Sequence, residues 1–318
     1  MALTINTNLS SLVAQNNLNK ATNGLNQAIE RMTTGFKINH ASDNAAGYSI
    51  ARNWEAQLGS LDVAADNAAT GADMLSSLED HYALISTHVQ RVRDLTEQAA
   101  NGTYGTQSKQ AIQAEITARL EEIDRISQNC EFSGQYMMNG SMSDIAIQVG
   151  TEGTAAKSQI TLSDDLFKDG SVSALFSKLE YKTVDSNQVI DATKSYQIDK
   201  TLLAQKCAGL DPSTGVDAND KTSGKKETAS DMLARIDEVI NTISSRVTKL
   251  GAAQNRIESA IESIGVQTEN ITSSLSTLRD ADVAQESSNY IKSQILQQAA
   301  ATLLATANQS PSIALNLL

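Results

Sequence analysis

Residues 233–278 read LARIDEVINTISSRVTKLGAAQNRIESAIESIGVQTENITSSLSTL. Leu233, Ile236, Ile240, Ile243, Val247, Leu250, Gln254, Ile257, Ile261, Ile264, Thr268, Ile271, Leu275 and Leu278 fall at alternating spacings of three and four, and 12 of these 14 are Leu, Ile or Val. Strict 3-4 spacing over six heptads predicts a coiled-coil seam. The 46 residues span about 69 Å as one helix at 1.5 Å per residue. Gln254 and Thr268 interrupt the stripe, and polar seam positions set register or partner choice.

A matching helix is expected early. Leu58, Leu61, Ala65, Ala68, Ala72 and Leu75 keep the 3-4 rhythm. Leu75, Leu78, Tyr82, Ile85, Val89 and Val92 carry it on after a three-residue phase slip, which overwinds a coiled coil locally. Asn101-Gly102-Thr103-Tyr104-Gly105 breaks the helix, and Ile112, Ile116, Leu120, Ile123 and Ile126 stripe a third.

The period then changes to two. Ile145, Ile147 and Val149 alternate with polar residues, and Ser158–Leu162 can pair with them across Gly150–Gly153 as a hairpin near 144–162. Beyond Leu166 the chain mixes Ser, Thr, Asp, Lys and Gly. Residues 167–227 read as a small separate surface domain or an elaborated loop. The predicted class is mainly α: a long coiled-coil helix bundle with a β-hairpin and a small inserted outer domain, α+β overall.

Composition agrees. The chain has 318 residues and only two prolines, Pro212 and Pro311, which favours unbroken helices. Its net charge is −12, against nucleic acid or a polybasic membrane anchor as partner. No apolar run approaches a membrane span, and no cleaved signal is expected from the opening residues. Cys130 and Cys207 stand 77 positions apart, too few cysteines for a disulfide framework; buried or free thiols are expected more than a bridge. His81 and His88 lack a third ligand and the usual i, i+4 spacing of a metal pair. Asp211, Asp217 and Asp220 do not match a calcium loop. No phosphate loop, nucleophile elbow or His-Glu-x-x-His motif is present, so an enzyme is not expected, and no catalytic, cofactor or metal residue is assigned.

Both ends carry unfinished helical stripes. Leu9, Leu12, Leu18, Leu25, Ile29, Met32 and Phe36 mark the first. Ile291, Ile295, Ala299, Leu303 and Leu304 mark the second, followed by the apolar tail Ile313–Leu318. Such stripes pair with each other, with neighbouring copies, or with both. A coiled-coil scaffold that does not assemble would not account for that tail.

Several strings carry a resemblance to bacterial flagellins. They are Ile5-Asn6-Thr7-Asn8, Gln15–Lys20, Ala28–Asn39 and Asp43-Asn44-Ala45-Ala46-Gly47. Gln90-Arg91-Val92-Arg93-Asp94-Leu95, Ile112–Ile116, Glu122–Ile126, Gln294–Ala299 and Ala307-Asn308-Gln309 follow in the same order. The resemblance covers roughly 1–166 and 229–318. It departs at Phe36-Lys37, where Leu-Arg is usual, and at Cys130. What it implies is a secreted, extracellular filament subunit for motility. Such a chain is exported unfolded through the flagellar type III export gate with a chaperone, and polymerises with itself beneath a filament cap beyond hook-associated proteins. Residues 1–42 with 283–318 would form the filament core, with Leu9, Leu18, Leu25, Ile29, Met32, Ile291, Ile295, Leu303 and Leu304 as assembly residues. Residues 43–166 with 228–282 would form the stem. Gln90, Arg91, Leu95 and Glu115 match residues by which the host flagellin-sensing Toll-like receptor recognises the family, and the same residues make subunit contacts. The resemblance leaves a hook–filament junction protein as the alternative.

Overall fold

The computed structural model describes residues 8–176, 200–210 and 229–315, without the side chains of 202, 231 and 310–315. The expected positions Asp211, Asp217 and Asp220, and the side chains of the tail from Ile313, lie outside the described residues. Long helices dominate: α1 (Leu9–Thr34), α2 (Ala45–Ala100), α3 (Thr106–Asn129), α7 (Ala229–Arg279) and α8 (Val283–Leu315). Between α3 and α7 come β1 (Glu131–Phe132), β2 (Gln135–Tyr136), β3 (Ile145–Gln148), α4 (Ala155–Ser158), β4 (Gln159–Leu162), α5 (Val172–Leu175) and α6 (Lys200–Cys207). The chain divides into two units, residues 1–60 with 265–318 and residues 61–264. No described helix is long and apolar enough to cross a membrane.

In the 61–264 unit, α2 buries Leu61, Ala64, Ala68, Leu75, Leu78, Tyr82, Ile85, Val89, Val92, Thr96 and Ala99. Gly71 belongs to the same buried stripe. These twelve positions keep one uninterrupted 3-4 rhythm, so the expected phase slip is absent. Ala64 and Gly71 hold the seam where the sequence suggested Ala65 and Ala72. In α7 the deepest residues are Met232, Ile236, Val239, Ile243, Leu250, Ala253 and Ile257. The expected seam is real but rotated. Leu233, Ile240, Val247 and Ile261 are half-buried flanks, because Met232, Val239 and Ala253 turn inward beside them.

Gln254, the polar interruption, donates from Nε2 to Glu79 Oε2 of α2 at 2.9 Å. A polar pair at a fixed level penalises any slide of α7 along α2, since a slid helix leaves both groups unpaired. The hairpin is antiparallel, with Ile145 opposite Leu162 and Ile147 opposite Ile160. It seats on α2, where Asn67 Nδ2 donates to Gln148 O at 3.3 Å.

The described parts of 167–227 do not form a separate domain. Phe167, Val172, Leu175, Phe176, Leu203, Cys207 and Leu210 lie in the same core as α2, α3 and α7. Their bulk supplies apolar area that the surrounding Ser, Asp and Lys concealed. Asp124 of α3 anchors this excursion: Oδ1 accepts from the Val172 amide at 2.7 Å, and Oδ2 pairs with Lys200. The remainder, 177–199 and 211–228, lies outside the described residues.

Candidate assembly and recognition surfaces

Neither α1 nor α8 has a stripe of large apolar residues wide enough to stand alone. They pack antiparallel on each other. Asn8 Nδ2 donates to Ala307 O at 2.6 Å, Ser11 Oγ to Asn308 at 2.7 Å, Gln297 to Thr22 at 3.1 Å, and Arg31 to Glu286 at 3.3 Å. Asn8 also caps α1, its Oδ1 accepting from the Ser11 amide at 3.1 Å. One residue of the resemblance thus starts the first helix and ties it to the last.

The seam itself is built from small residues. Ala14, Ala21 and Ala28 are buried, and Ser11 before them and Leu18 and Leu25 between them are half-buried. Facing them, α8 presents Glu286, Tyr290, Ser293, Gln297, Ala300, Leu304 and Ala307, again at 3-4 spacing. A Cβ on Gly24 would stand 3.2 Å from Ser293 Oγ, so the two backbones approach closely there. Small seam residues permit that approach.

Large apolar side chains are left outside. Leu9 is 68% exposed, Ile295 59% and Leu303 62%. Leu12, Val13, Ile29, Met32, Ile291 and Leu296 are exposed too. Of the expected assembly residues, only Leu18, Leu25 and Leu304 lie in the seam. Sequence reading missed the alanine seam because it weighted large residues. The 3-4 spacing of Ser11, Ala14, Leu18, Ala21, Leu25 and Ala28 was the available signal.

The expected recognition residues separate. Arg91 Nε and Glu115 Oε1 meet at 3.0 Å across α2 and α3, with Arg119 3.7 Å from the same carboxylate. Gln90 is exposed and its Nε2 lies 3.5 Å from Ser86 Oγ. Leu95, by contrast, is only 2% exposed. It packs in the core and offers a partner no surface, which corrects its expected role as a contact. His88 stands 3.5 Å from Arg119. Partial burial, then the neighbouring Arg119 charge, push its imidazole below the usual value. His81 Nδ1 is instead 2.7 Å from Ser77 O. Among the described residues, no group of three or more His, Cys, Asp or Glu could hold a metal ion.

Both cysteines are free and buried. Burial pushes each thiol up to about 12. Cys207 interacts with Thr96, and nearby Gly209 faces Ala99. Cys130 follows the end of α3, where Ser127 and Ile85 meet Gly170. Cys130 interacts with Tyr82 of α2 and Cys207 with Thr96, positions about 21 Å apart along the helix at 1.5 Å per residue. A disulfide needs Cα atoms within about 7 Å.

The comparisons agree with this anatomy. Residues 5–143 match the bacterial flagellin N-terminal helical region, and residues 233–318 match the C-terminal helical region. The chain is 31% identical over 378 residues to polar flagellin F of Vibrio parahaemolyticus, covering 100% of both chains. It is 36% identical over 333 residues to a flagellin of Xenorhabdus nematophila, again covering 100% of both. A solved structure described as a flagellar hook-associated protein from Vibrio parahaemolyticus shares the fold, at TM-score 0.54 and 14% identity, covering 75% of this chain and 100% of that one. The chain belongs to the bacterial flagellin family, the structural, non-enzymatic subunits of the extracellular flagellar filament.

Proposed function

We propose that the chain polymerises through the outward faces of α1 and α8, using Leu9, Ile29, Met32, Ile291, Ile295 and Leu303. The carrying observation is that the intrachain seam consumes alanines and leaves these large residues exposed. Burying apolar area is worth about 25 cal/mol per Å². Ordering each terminal residue costs about 1–2 kcal/mol of backbone entropy. Contacts repeated with several neighbouring copies offset that cost better than one intrachain helix pair. Contacts between unlike faces that do not close produce an open helical polymer.

The finer reading follows the resemblance. The chain is exported unfolded through the type III gate with a chaperone, and is added under a cap beyond the hook-associated proteins. The filament core is 1–42 with 283–318, and the stem 43–166 with 228–282. Gln90, Arg91 and Glu115 engage the host Toll-like receptor from the exposed face of α2 and α3. The test is seeded elongation followed by electron microscopy. The full chain lengthens filament fragments, and a truncation lacking 284–318 does not. The full-length likeness to flagellins supports this reading over a junction protein. Failure of the full chain to elongate seeds would favour the junction protein.

A further inference from the structure

Two chain reversals in the unit formed by residues 1–60 and 265–318 are fastened together. The first follows α1 at Gly35, whose φ of +75° needs glycine. The second separates α7 from α8 at Asp280–Asp282. Lys37 N donates to Arg279 O at 2.7 Å, and Ala281 N donates to Gly35 O at 2.8 Å. Phe36 and Asp280 form an isolated antiparallel bridge.

Side chains extend this fastening into α2. The Arg279 guanidinium lies 4.0 Å from the centroid of the Phe36 ring. It also pairs with Glu55 Oε1. Glu55 Oε2 accepts from Arg52 at 3.0 Å, and Arg52 lies 5.2 Å over the Tyr48 ring. Ring, cation, carboxylate, cation and ring alternate from the end of α1, across the last turn of α7, to the first turns of α2. Glu55 is at the centre, and Arg279 joins it to the Phe36 ring with a planar cation that stacks and forms an ion pair at once.

We propose that Phe36 and Arg279 are positioning residues for the polymer: their stack fixes the angle at which the α1–α8 pair leaves the first turns of α2 and the last turns of α7, and so the filament's helical form. This rests on the filament reading above. In a helical polymer every subunit repeats the same joint, so a small angular change is multiplied along the length. A leucine at 36 keeps the apolar bulk but presents no π-face, and a lysine at 279 keeps the charge but not the plane.

The experiment compares filaments grown from seeds by wild type, Phe36→Leu, Phe36→Tyr and Arg279→Lys, with pitch and curvature measured by electron microscopy. Phe36→Leu and Arg279→Lys should both elongate seeds yet change the waveform, while Phe36→Tyr keeps that of wild type. Unaltered waveforms in Phe36→Leu and Arg279→Lys, with wild type growing normally, would overturn the positioning role alone. So would Phe36→Tyr changing the waveform as much as Phe36→Leu. Loss of elongation by either of those two variants, with wild type growing, would also overturn it, because the residue would then be required for growth itself and not for its angle. No growth by wild type would remove the filament reading and this inference together.

Discussion

The side chain of Ile147 lies across the bare backbone of Gly71. A Cβ placed on Gly71 would fall inside the van der Waals distance of Ile147 Cδ1. The hairpin therefore seats on α2 at the one seam position without a side chain. Alanine normally improves a helix by about 1 kcal/mol over glycine. Overpacking a filled site costs about 1–3 kcal/mol. Gly71→Ala should therefore lower the melting temperature of the chain. Gly251→Ala in α7, where nothing stands within 4 Å of the added Cβ, should raise it. A thermal melt of each variant by circular dichroism checks the opposite signs.

The burial of Leu95 and the exposure of Arg91 separate two kinds of loss. Leu95→Ala opens a cavity and should cost about 2–5 kcal/mol of stability. Arg91→Ala removes half of an exposed ion pair and should cost less than about 1 kcal/mol. Denaturant titration of both, beside a receptor-binding assay, distinguishes them. Arg91→Ala should weaken binding with its midpoint nearly unchanged. An Arg91→Ala variant that binds the receptor as wild type does would remove that residue from the recognition face.

Asp165 accepts from Lys168, and from Lys249 at 2.7 Å. Lys168 first, then Lys249, hold its carboxyl at about 2, below the ordinary 3.8. A lowered folded value means the stabilisation is complete above 3.8 and is lost as pH falls from there toward 2. Asp165→Asn should lower the melting temperature at pH 7. Its difference from wild type should close as the pH approaches 2, in melts recorded at both ends of that range.

Cys130 and Cys207 should be silent in the native protein. Raised thiol values near 12 leave almost no thiolate at pH 8. A disulfide-exchange reagent should titrate neither thiol in buffer and both in denaturant. Rapid native reaction of Cys207 would contradict its burial in the core.

The long helices and the hairpin were legible because Ile, Leu and Val mark their stripes without ambiguity. Where alanine is dense the marking fails. Between Ala64 and Ala72 several phases look alike, and a glycine in the seam carries no hydropathy signal at all. The terminal helices posed the reverse difficulty. Leu9, Ile295 and Leu303 stand out as letters but lie outside the intrachain seam, which Ala14, Ala21 and Ala28 fill. Phe167 and Phe176 sit in polar surroundings, so their membership of the main core depended on contacts distant in sequence. The Phe36–Arg279 stack joins residues far apart along the chain, and no spacing announces it.

The central claim is that assembly uses what the seam leaves out. Its most direct test is the elongation rate of Ile295→Asn and Leu303→Asn on wild-type seeds, beside Gln298→Asn as a polar control. The two apolar positions should lose elongation at concentrations where the control grows like wild type. Elongation by Ile295→Asn and Leu303→Asn at the wild-type rate would show that these exposed residues are not where the copies meet.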